Sequence, residues 1–168
     1  MENNEEILKQ LNSENPEIRK EVTEKIKNEG DLSIIPSLLD YLSSINDHHD
    51  ITTIVNLLAD IKDNGFISLL MNRIKNTQQP ACKSLFLRIC WESSLDFSDY
   101  AEEFVKILKD DDFIVALEAA TILENLNHIN QEKKTQLLKE IKTIDTTDEK
   151  QFLVDNILAT WTMEETEE

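Results

Sequence analysis

Few residues of this chain are grouped as a reactive site would require. His48 and His49 are adjacent, and consecutive positions on a helix point about 100° apart, so the two imidazoles would not converge on one metal ion. The run Asp110-Asp111-Asp112 offers oxygen ligands. A calcium loop also needs alternating ligands, a central glycine and a terminal bidentate glutamate, and none of these follows. The expected role of the run is a turn with a helix N-cap. Cys82 and Cys90 stand eight residues apart on one helical segment, about 12 Å along its axis, which is beyond the reach of a disulfide. They are predicted to be reduced core residues. Gly30 and Gly65 are the only glycines, which excludes the clustered flexible backbone of nucleotide-binding loops. Carboxylate pairs are abundant, but an acidic surface supplies such pairs without burying or tuning them. No catalytic residue, metal ligand or cofactor is assigned.

The charge balance narrows the partners instead. The 34 acidic and 17 basic side chains give a formal charge of -17, which repels phosphate backbones and anionic lipid head groups. Nucleic-acid and membrane partners are disfavoured. A basic protein or peptide would be steered toward the chain, although solubility is the first role expected of such acidity. No apolar stretch reaches the ~18 residues of a membrane span. The polar, acidic opening from Met1 to Glu6 lacks the basic start and apolar run of a secretory signal, so a cytoplasmic location is expected.

The elements that would position any site are helices. The chain has 168 residues, 40% of them hydrophobic, with two glycines and three prolines. That length suits one domain, and so few turn formers argue against a sandwich or barrel. Apolar positions recur at helical spacing, as in Ile7, Leu8 and Leu11, then Ile18, Val22 and Ile26, then Ile35, Leu38, Leu39 and Leu42. The spacing and its punctuation predict ten helices near residues 4–12, 16–28, 32–44, 49–62, 65–75, 80–92, 98–109, 112–126, 130–143 and 147–160. Connections this short make successive helices antiparallel, so the unit is a helical hairpin.

The hairpins repeat. Ile18, Ile51, Cys82 and Val115 occupy one place in four segments, separated by 33, 31 and 33 residues. Four positions on stand Val22, Val55, Phe86 and Ala119, and eight on Ile26, Ala59, Cys90 and Leu123. This apolar stripe through four second helices predicts a stacked repeat. Asn15-Pro16-Glu17-Ile18-Arg19, followed by Val22, Ile26, Gly30 and Asp31, resembles the second helix of a HEAT repeat. Residues 31–39, including Pro36, resemble the first helix of the next one. Asn15 suits the N-cap, Pro16 the first turn, and Gly30 a left-handed C-terminal position. The resemblance covers about four and a half hairpins and is sharp only at this first junction; later junctions such as Lys62-Asp63-Asn64-Gly65 lack the Gly-Asp and the proline.

The expected fold is therefore all-α: a right-handed HEAT-like superhelix of about five hairpins, one domain over residues 1–162, and an acidic tail over 163–168. The resemblance implies that second helices line a concave face. Three rows would then face the groove: Lys20, Thr53, Ser84 and Leu117; Thr23, Asn56, Leu87 and Ala120; and Lys27, Asp60, Trp91 and Glu124. Asn56, Asp60, Leu87, Trp91, Leu117 and Glu124 are the candidate binding residues, with Leu87, Trp91 and Leu117 as an exposed anchor. The plainer reading, placed ahead of it, packs residues 85–91 into a central helix buried on both sides, and makes Trp161 a C-terminal packing cap. Binding of a protein or peptide by a monomer is the leading functional expectation. A subunit of a bilin lyase or another modifying enzyme, and a self-associating adaptor, are its alternatives, because the fold class hosts all three.

Overall fold

In the computed structural model, residues 4–29, 32–146 and 148–163 are described. Ten α-helices follow in chain order: α1 (Asn4–Leu11), α2 (Pro16–Glu29), α3 (Ile35–Ser44), α4 (His48–Ala59), α5 (Gly65–Asn76), α6 (Pro80–Glu92), α7 (Ala101–Asp110), α8 (Phe113–Glu124), α9 (Gln131–Lys142) and α10 (Asp148–Met163). Single 3-10 turns precede α3 and α7, and the described residues contain no strand. The all-helical expectation holds, with one helix at each predicted place. The predicted left-handed cap at Gly30 and the tail from Glu164 to Glu168 lie outside the described residues.

The helix starts follow from local chemistry. Asn15 accepts the amide of Glu17 at 3.0 Å, with Pro16 as the first helical residue of α2. Asp47 accepts the amides of His49 and Asp50, Asp112 that of Val115, and Asn130 that of Lys133. The acidic run at 110–112 is thus a turn and a cap: Asp112 starts α8, and Asp111 holds the Lys83 ammonium at 2.8 and 2.9 Å.

The chain divides into two compact units, Met1–Asn76 and Thr77–Glu168. In the first, α1 packs on α2 and α3, and α3 on α4 and α5. Its core includes Leu38, Leu42, Val55, Leu58, Phe66 and Leu70, all at most 1% exposed. The Tyr41 hydroxyl, buried beneath α1, donates to the Leu11 carbonyl at 3.0 Å and ties the end of that helix to α3.

In the second unit α8 is the centre, packing on α6, α7 and α10, while α9 packs on α7 and α10. Its small residues Ala116, Ala119 and Ala120 are buried, which lets neighbouring helices approach closely. Trp161 is buried as the expected packing cap, its indole donating to the Leu123 carbonyl at 2.9 Å. Lys150 closes the other end of α10 by donating to the carbonyls of Leu108, Lys109 and Asp111, where the terminal carbonyls of α7 carry partial negative charge.

Ten of the twelve stripe positions are buried; Ile18 is exposed and Ile51 half-buried. Both stand in the first turns of their helices, α2 and α4. Neither cysteine is in a disulfide, and both are buried as predicted. Burial pushes the Cys90 thiol far above its ordinary value.

Candidate functional site

The repeat register reappears in the polar contacts. Lys27 pairs with Asp60 at 2.7 Å between α2 and α4, and Arg73 pairs with Asp40 between α5 and α3, each across 33 residues. In the second unit Ser84 donates to Glu118 across 34 residues, from α6 to α8. Such steps are expected when equivalent helices of successive hairpins lie side by side.

The candidate residues separate by unit. In the first, Asn56 on α4 and Asp60 at its C-cap are exposed. Asp60 is occupied: its hydrogen bond with Lys27 is the main cause that lowers its own carboxyl and raises the lysine ammonium from their ordinary values. This position is an ion pair within the unit.

In the second unit the expected anchor is corrected. Leu87 is 0% exposed, because α6 packs against α8 over a buried arc wide enough to take in Phe86, Leu87, Ile89 and Cys90. Ala120, its row partner, is buried too. Leu87 turns only 100° from Phe86 of the stripe and is covered where α6 packs on α8, whereas Asn56 at the same register on α4 stays exposed. For Leu87 the central-helix reading was the correct one.

Trp91 and Leu117 are exposed, at 39% and 42%, and Glu124 is half-buried. Trp91 closes α6, and its Nε1 donates to Glu118 Oε2 on α8 at 2.6 Å. Glu118 Oε1 takes the Ser84 hydroxyl at 3.3 Å, so one carboxylate is held by two neutral donors of α6. The indole is thereby fixed in position while keeping an exposed face.

Two members of this surface went unnoticed in the sequence. Ile114 is 62% exposed, and Glu118 orients the tryptophan. Ile114, Leu117, Thr121 and Glu124 follow the spacing of one helical face. The usable signal was that α8, FIVALEAATILE, is apolar nearly all round, more than its burial against neighbours needs. The result is a strip that is apolar at the start of α8 and acidic at its end, bordered by Trp91 of α6.

The electrostatics of that acidic end are unbalanced. Arg88 pairs with Glu92 at 2.6 Å and Lys83 with Asp111. Among the described residues no cation pairs with Glu118 or Glu124. Burial raises the Glu124 carboxyl above its ordinary value.

Among the described residues no three His, Cys, Asp or Glu side chains converge as metal ligands, and no helix is long and apolar enough to cross a membrane. His48 and His49 open α4 behind the Asp47 cap. Neither a protein-family model nor a curated protein sequence matches this chain.

Proposed function

We propose that the chain is a HEAT-like, non-catalytic interaction module that binds a protein or peptide segment on the exposed face of α6 and α8. The observation that carries this reading is the exposed Trp91, whose indole is already hydrogen-bonded to Glu118 beside exposed Ile114 and Leu117. A large aromatic surface held in one orientation loses little entropy on binding, which is the property of interface anchors. The HEAT-like assignment is supported by the repeat-length steps of the polar contacts between equivalent helices. The charge of -17 accords with a cytoplasmic protein that meets polypeptide rather than nucleic acid.

The reading is tested by selecting peptides from a random library on the folded chain. Binders should be lost on Trp91→Ala and on the double variant Ile114→Asp, Leu117→Asp, each with unchanged helical circular dichroism. Binders that hold all three chains equally well place the interaction elsewhere and remove this face from consideration.

A further inference from the structure

We propose that the docking face continues from α6 and α8 onto α10 and receives a basic amphipathic helix of the partner, with Trp91, Leu117 and Phe152 as its three apolar anchors. The inference rests on the proposed α6–α8 face and names the kind of segment that covers it. It starts from Phe152 of α10, which is 65% exposed.

The place of Phe152 relative to α8 follows from the contacts between the two helices. Near the start of α10, Lys150 donates to the Asp111 carbonyl, just ahead of α8. Near its end, Trp161 donates to the Leu123 carbonyl, 38 residues back and close to the end of α8. The two helices therefore lie side by side and parallel. The same step of 38 residues carries the buried Val115, Ala119 and Leu123 onto the buried Leu153, Ile157 and Trp161. It also carries Ile114 onto Phe152, and Leu117 onto the exposed Asp155. Ile114 and Phe152, the two most exposed large apolar side chains among the described residues, thus hold one register on neighbouring helices and share one face of the layer.

That layer defines the shape of the occupant. Since α8 packs on both α6 and α10, the face presents Trp91, Leu117 and Phe152 one to a helix. Packed helices stand about 8–10 Å apart. Residues seven apart on a helix share a face and lie about 10.5 Å apart along its axis. A helix laid across the three, with an apolar side chain at every second turn, would meet the anchors in succession.

Charge defines its chemistry. Glu118, next to Leu117 in the chain, takes the Trp91 indole and the Ser84 hydroxyl, and Asp155 takes the Gln151 side-chain amide at 2.9 Å. All three donors are neutral, and among the described residues neither carboxylate pairs with a cation. Lys150, two residues before Phe152, donates instead to carbonyls at the end of α7. An apolar line bordered by such carboxylates complements a helix with lysine or arginine beside its apolar face. The charge of -17 steers a basic segment toward this face and opposes a second copy of the chain or an anionic lipid surface.

The probe is a labelled alanine-based helical peptide with leucines at seven-residue intervals on one face and lysines flanking them. One twin carries glutamine for every lysine, and another has the leucines shuffled onto different faces. By fluorescence anisotropy the full chain should bind the lysine peptide about tenfold more tightly than either twin. Phe152→Ser should weaken that peptide about tenfold at an unchanged melting temperature. Asp155→Asn, which keeps an acceptor for Gln151, should narrow the gap between the lysine and glutamine peptides. If Phe152→Ser binds as tightly as the parent chain while Trp91→Ala weakens the peptide, the extension onto α10 is overturned and the α6–α8 face stands. Equal affinity for the shuffled twin overturns the helical occupant, and equal affinity for the glutamine twin overturns its basic character. Failure of the lysine peptide to bind also overturns the inference, and the docking face then rests on the library selection.

Discussion

Trp91 and Glu118 are joined across α6 and α8 by a 2.6 Å hydrogen bond from the indole Nε1 to a carboxylate oxygen, on a surface that leaves 39% of the tryptophan exposed. If that bond orients the ring for binding, Glu118→Ala weakens a library-selected peptide several-fold, because ordering a side chain on association costs about 0.5–1.5 kcal/mol. Stability should change by less than about 1 kcal/mol, since the site is partly solvated. Titration of the peptide together with urea unfolding checks both; unchanged affinity would mean that the ring needs no orientation.

The Glu124 carboxylate is predicted to weaken the fold at neutral pH. Its pKa is raised in the folded chain, so the protonated form is the one folding favours. That contribution is present below the unfolded value, near 4.5, and disappears as pH rises through the folded value. Glu124→Gln should therefore unfold at a higher temperature than the parent chain at pH 7 and at the same temperature at pH 3. A parent chain more stable than the variant at pH 7 would show an internal partner for the charge.

Asp47 should act in the opposite direction. The Asp50 amide is the largest influence on its carboxyl and, with the His49 amide, outweighs the burial penalty and lowers the pKa. The stabilisation is complete above the unfolded value, near 3.8, and is lost as pH falls through the folded one. The melting temperatures of the parent and Asp47→Ala chains should converge on acidification. Asp112→Ala, which removes the cap of α8, should cost about 1 kcal/mol at neutral pH by denaturant unfolding.

Lys83 and Asp111 form a partly buried ion pair, with side chains 14% and 26% accessible. Asp111→Ala leaves the ammonium without its carboxylate and should destabilise by roughly 1–3 kcal/mol. Adding Lys83→Met should recover much of that loss, because the buried charge is removed with its partner. A double-mutant cycle reads the coupling, and strictly additive losses would show that the pair does not interact.

Cys90 should resist alkylation in the folded chain. Burial disfavours its thiolate, the reactive form. Labelling with a thiol reagent at pH 8 should proceed only as fast as the helices open, rising steeply with urea. Rapid labelling of Cys90 in the absence of denaturant would contradict its burial.

The places of all ten helices were legible because each is written locally by some of three signals: a polar cap such as Asn15, Asp47 or Asp112, an apolar stripe at helical spacing, and a stop. The stripe was equally legible at Val22, Val55, Phe86 and Ala119, all at most 2% exposed. The candidate site was only half legible. Trp91 and Leu117 are at the surface as the row register had them, so the central-helix reading of residues 85–91 that was placed ahead of it fails at Trp91; the register also took Leu87 for an exposed residue and passed over Ile114. Along α8, both the buried and the exposed faces are apolar, so periodicity could not separate them.

What the sequence determined by itself was therefore the order, type and repeat of the helices, since these depend on interactions within a few residues and on a pattern recurring through the chain. Tertiary structure decided which apolar residues are covered and which charges are answered. Leu87 is hidden because α8 packs on α6, and among the described residues Arg88 and Lys83 pair with Glu92 and Asp111 while no cation pairs with Glu124. Burial and charge pairing are properties of side chains brought together from different helices, and one helix's sequence specifies only its own contribution to them.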